Sequence, residues 1–72
     1  MKYEITYHSG GNVYSANIVY AATEDAARLW YERVLHKSVV GCREIITPWM
    51  KPGQPVVEVP MNASDIRAAY PI

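Results

Sequence analysis

Residues 2–8 alternate polar and apolar positions, with Tyr3, Ile5 and Tyr7 on one side. A period of two predicts a half-buried strand. Ser9, Gly10, Gly11 and Asn12 follow, and such residues tolerate the positive φ of a hairpin turn. Residues 13–20 predict a second strand, paired antiparallel with the first, whose richer face carries Tyr14, Ala16, Ile18 and Tyr20. Around Ala21, Ala22 and Thr23 the apolar period changes from two to about 3.6, the mark of a strand handing over to an amphipathic helix. Thr23 suits the N-cap, and Glu24 and Asp25 put negative charge where the helix dipole favours it. Ala26, Ala27, Trp30, Tyr31 and Val34 then form one stripe, with Glu24, Asp25, Arg28, Glu32 and His36 largely opposite.

Residues 39–47 read as a third strand, β-branched at both ends, with Gly41 marking a bulge and Pro48 closing it. Residues 49–54 form a loop with a Pro-Gly turn. Residues 55–60, bounded by prolines, predict a short strand at a sheet edge. The expected fold is α+β: a two-layer, mainly antiparallel sheet of three or four strands with one amphipathic helix on one face, in the order ββαββ. Residues 1–60 make the single domain. Residues 61–72 make a tail, in which Ser64 could cap a short helical turn before Pro71; this tail either docks or frays.

A chain of 72 residues has room for one domain, with a thin stability margin. Half of its residues are apolar, too many for a disordered chain of low hydrophobicity. Seven basic and seven acidic residues cancel and are spread along the chain. The balance argues against strong non-specific nucleic-acid binding and against an acidic DNA mimic, since each needs a field of one sign. The first residues lack the apolar core of a secretion signal, and no apolar run approaches the roughly 20 residues of a membrane span. The cytoplasm is therefore the expected location, without a membrane partner.

Candidate chemistry is sparse. His8, His36 and Cys42 are the strong transition-metal ligands, and none forms the short-spaced pair that a zinc site uses. No metal or cofactor is implied. Cys42 falls in a strand and reads as a small buried hydrophobe. Gly10 and Gly11 lack the strand-to-helix context of a phosphate loop. With no grouping of acid, base and nucleophile, the chain reads as non-enzymatic.

The aromatics stand out: six tyrosines, two tryptophans and no phenylalanine. Tyr and Trp suit positions with one apolar and one wet side, interface anchors among them. Tyr3, Tyr7, Tyr14 and Tyr20 either divide between the helix-facing core and the opposite sheet surface or lie mostly in the core and at its edge. Trp49 follows Pro48 in a loop, near Arg43 and Lys51, and is either an exposed anchor for a partner or a lid on the small core. Tyr7, Tyr14, Arg43, Trp49 and Lys51 are accordingly the expected partner-binding residues. Tyrosines on an open sheet with Arg43 and Lys51 could also stack single-stranded nucleic acid, a reading the charge balance disfavours. Pairing of copies through the edge strand at 55–60 is a further alternative.

The segments Ala21, Ala22, Thr23, Glu24, Asp25, Ala26, Ala27 and Val39, Val40, Gly41, Cys42, Arg43, Glu44, Ile45 resemble those of small phage and mobile-element proteins. In these a hairpin ends near Ala-Ala-Thr, an acidic helix start with paired alanines follows, and a Val-rich strand closes on Arg-Glu-Ile. Several small anti-CRISPR proteins are similar in size and in strand-strand-helix-strand order. The resemblance spans residues 2–47 and is topological, and the neutral charge departs from the acidic DNA-mimic members. It implies a phage-encoded inhibitor that occupies the surface of a host defence ribonucleoprotein complex in the host cytoplasm.

Overall fold

The computed structural model describes residues 1–46 and 56–71. Four strands and two helices succeed one another: β1 (Lys2–Gly10), β2 (Val13–Tyr20), α1 (Glu24–Leu29), β3 (Ser38–Glu44), β4 (Val56–Glu58) and α2 (Ala63–Ala69). The fold is α+β. Its sheet has the order β3-β1-β2-β4. β1 is antiparallel to both β2 and β3, whereas β4 joins β2 in parallel. The sheet is thus mixed, with β2, β3 and β4 all running against β1.

Gly10 and Gly11, at φ 127° and 54°, supply the hairpin with backbone conformations that are cheap for glycine alone. Pairing then sets Tyr3 opposite Val19, Ile5 opposite Asn17 and Tyr7 opposite Ser15. On the other side Ile5 faces Cys42, but Tyr7 faces Val39. The skipped residue, Val40, sits in a bulge beside Gly41 and is 57% exposed.

The Thr23 hydroxyl accepts a hydrogen bond from the Ala26 amide at 3.1 Å, capping α1 as its position predicts. The small Ala26 and Ala27 are fully buried and let the helix lie close to the sheet. After Leu29 the helix widens into a π-helical turn, Trp30–Val34. Its end is closed by two amides, Leu35 N–H on the Trp30 carbonyl at 3.1 Å and Lys37 N–H on the Tyr31 carbonyl at 2.8 Å. His36 between them has φ 55°, the left-handed position that usually goes to glycine.

The tail was expected either to dock or to fray, and within its described residues α2 packs against the body of the fold. Asn62, not Ser64, caps α2, its side chain accepting from the Asp65 amide at 2.9 Å. Ile66 then buries completely in the cluster formed by Tyr3, Ile5, Val19, Ala21, Ala26, Ala27 and Tyr31. A seven-residue helix is marginal alone, and burying one Ile contributes ~1.5–3 kcal/mol. Docking through Ile66 therefore stabilises it, and Asp25 and Arg67, 3.8 Å apart, add a weak exposed link between the helices. The expected ββαββ order allowed a short helical turn at its end, and a helix of seven residues forms there. β3 also stops at Glu44 where the sequence suggested residue 47, and β4 is shorter than residues 55–60.

Candidate interaction surface

Both helices pack on the side of the sheet that carries Tyr3, Ile5 and Val19, because all of them share one buried cluster. Alternation sends Tyr14, Ala16, Ile18 and Tyr20 to the other side. The richer face of β2 is therefore turned away from the helices. Beneath the helices β2 instead shows Ser15, Asn17 and Val19. Asn17 is accommodated there by hydrogen bonds: its Nδ2 donates to Tyr31 Oη at 2.9 Å and to Tyr7 Oη at 3.4 Å. A half-buried amide with partners costs little, whereas one without them is expensive.

The outer face carries Tyr14, 58% exposed, Tyr20, 38%, and Val56, 43%. Exposed Ala16 lies between the two tyrosines along β2. Ile18 is buried. His8, opposite Tyr14 in the pairing, meets its ring edge to face with centroids 5.2 Å apart and planes at 75°. The His8 Nε2 also bonds the Gly11 carbonyl, so the imidazole is held at the hairpin. Farther along, Arg43 Nε donates to Glu4 Oε1 at 2.9 Å across the β1–β3 pairing. The guanidinium is mostly exposed, so the pair contributes little to stability.

Of the expected binding residues, Tyr14 and Arg43 share the outer face. Tyr7 does not. It lies on the helix side, its ring 5.4 Å from that of Tyr31 and its face 5.9 Å from Lys37 Nζ. Trp49 and Lys51 lie outside the described residues. Tyr20 and Val56 belong to the surface and were not singled out. The alternation along β2 groups Tyr20 with Tyr14, and that was the available signal; nothing in the sequence marks Val56.

The three metal-ligating side chains stay apart. His8 is on the outer face, Cys42 faces the helix layer opposite Ile5, and His36 ends the first helix. Among the described residues no three His, Cys, Asp or Glu side chains come together. Burial pushes the Cys42 thiol pKa up, with Glu24 adding to the effect and Arg28 opposing it. A thiol so held is a weak nucleophile. Among the described residues no helix is long and apolar enough to cross a membrane. No family model matches the chain, and neither a curated protein nor a solved structure matches it.

Proposed function

We propose that the chain is a non-enzymatic protein-binding module that acts by occupying a surface of its partner, with the outer sheet face along β2 as the contact. One observation carries this reading: β2 turns Tyr14, Ala16 and Tyr20 away from the core of its own chain. Exposed tyrosines combine large apolar area with a hydroxyl that remains hydrogen-bonded in water, and they rank among the residues that dominate binding energy. A standard footprint of about 800 Å² per partner is roughly one sixth of the accessible surface of 4703 Å². In its finer form the reading takes the partner to be a bacterial defence complex and the module to be its inhibitor. That form rests on the resemblance of residues 21–27 and 39–45 alone.

The test uses Tyr14→Ala and Ala16→Glu, the second placing a carboxylate in the middle of the face. Chemical cross-linking in a bacterial lysate should give a discrete protein adduct with the parent chain. Both variants should lose that adduct while their melting midpoints stay within roughly 4 °C of the parent. An adduct that survives both substitutions would show that the contact lies elsewhere. Affinity for single-stranded DNA that falls steeply between two salt concentrations would replace this reading with nucleic-acid binding.

A further inference from the structure

A cleft of about 610 Å³ opens where the first helix, the start of β3 and the end of α2 converge. That volume falls in the range of small-ligand sites. Its lining includes the apolar Leu29, Tyr70 and Pro71, the cations Arg33 and Lys37, and His36. Among the described residues Glu32 is the one carboxylate in the lining.

Arg33 and Lys37 differ from the other cations whose contacts are defined. Arg28, Arg43 and Arg67 pair with Glu24, Glu4 and Asp25. Among the described residues Arg33 and Lys37 form no ion pair. Arg33 spends Nη1 on the Tyr70 carbonyl at 3.4 Å, and its Nε is buried with no hydrogen-bond partner. An unpaired buried donor is costly and stands out in a native structure. The edge left over, Nε with Nη2, is the parallel pair of donors that matches the two oxygens of a carboxylate. The negative end of the first helix opposes an anion. The cations Arg33 and Lys37 therefore have to outweigh that helix end for an anion to bind.

We infer that this cleft binds an amphipathic carboxylate, its oxygens on the free edge of Arg33 beside Lys37 and its apolar body against Leu29 and Tyr70. Nε is covered in the present side-chain position, so two-point engagement turns the guanidinium outward. The ligand supplies the missing acceptor. The inference is independent of the outer face, which the cleft does not include.

Titration of the ¹⁵N-labelled chain with hexanoate, and with uncharged hexanamide as the matched control, tests it. Hexanoate should perturb the amide signals of residues 29, 33, 37 and 70 with a dissociation constant on the order of 1 mM, as befits so small a ligand. Hexanamide should bind about tenfold more weakly, and Arg33→Gln and Lys37→Gln should each cost about fivefold or more. Lys37→Gln guards against a merely structural effect, since Arg33→Gln also loosens Tyr70. A leucine-terminated peptide with a free carboxylate that outcompetes hexanoate, and loses its advantage when amidated, would assign the source to a protein end. The reverse order would assign it to a free acid. Equal binding of hexanoate and hexanamide, shifts confined to other residues, or indifference to both substitutions would overturn the proposal. Tyr14→Ala should leave hexanoate binding unchanged, so failure here and failure of the outer-face contact are separable.

Discussion

The two faces of the sheet use the same amino acid for opposite ends. On the helix side, Tyr3 of β1 and Tyr31 of the first helix are at most 4% exposed, and the Tyr31 hydroxyl accepts a hydrogen bond from Asn17. On the far side, Tyr14 keeps more than half of its surface in water and touches His8 edge to face. The buried rings of the core are those of Tyr3 and Tyr31, and a buried hydroxyl needs a polar neighbour in the interior. Asn17 meets that need for Tyr31 and bonds the Tyr7 hydroxyl as well. Its presence under the helices is part of why the more apolar set of β2 ends up outside. The difference teaches that tyrosine content alone says little about interface; the deciding quantity is whether a partner for the hydroxyl lies inside the fold.

The sharpest way to break the comparison is to remove one ring from each face. Tyr31→Ala should destabilise by ~3–5 kcal/mol, most of what a domain of this size has to lose. Tyr14→Ala should cost less than about 0.5 kcal/mol. Urea denaturation of the two variants decides the matter, and comparable losses would mean that Tyr14 is as structural as Tyr31.

A smaller effect is expected at the amide that links the inner rings. Asn17→Ala should cost ~1–2 kcal/mol by leaving the Tyr31 hydroxyl without its bond. Burial holds the Tyr31 pKa above the ordinary tyrosine value, the Asn17 bond lowers it in part, and Tyr7 adds to the rise. The folded state therefore keeps the proton more tightly than the unfolded chain. Its stabilising effect is complete below about pH 10 and declines as pH rises beyond that value. Asn17→Ala should steepen this alkaline decline and Tyr31→Phe should flatten it, both measurable as melting midpoint against pH.

The smallest effect sharpens the picture at the end of the helix layer. His36→Gly should stabilise by ~0.5–1 kcal/mol, because a non-glycine residue in the left-handed region is strained while glycine costs entropy in the unfolded chain. A loss of stability would show that contacts of the His36 imidazole along the cleft outweigh the backbone strain.

Much of the architecture can be read from residue order. The period of two in residues 2–8 and 13–20 defines two strands, Thr23 with Glu24 and Asp25 defines where the helix starts, and Gly10 with Gly11 defines the turn between strands. These are local signals, carried by neighbours within a few positions, and local physics suffices to produce them. The second helix was half visible: a seven-residue segment has too little intrinsic helicity to announce itself, and Ile66 stabilises it only by reaching a core assembled from distant residues. The cleft was invisible for the same reason, since Tyr70 is brought to Leu29, Arg33 and Lys37 by the docking of that helix.

Alternation along β2 grouped Tyr14, Ala16, Ile18 and Tyr20 as one set and Ser15, Asn17 and Val19 as the other, and the grouping holds. Which set would face the helices was not contained in it. A strand has two sides related by a period and no local term that distinguishes inward from outward. That choice was made by the register with Tyr3, Ile5 and Tyr7 and by hydrogen bonds from Asn17 to rings 10 and 14 residues away, which exist only once the sheet and helix have come together.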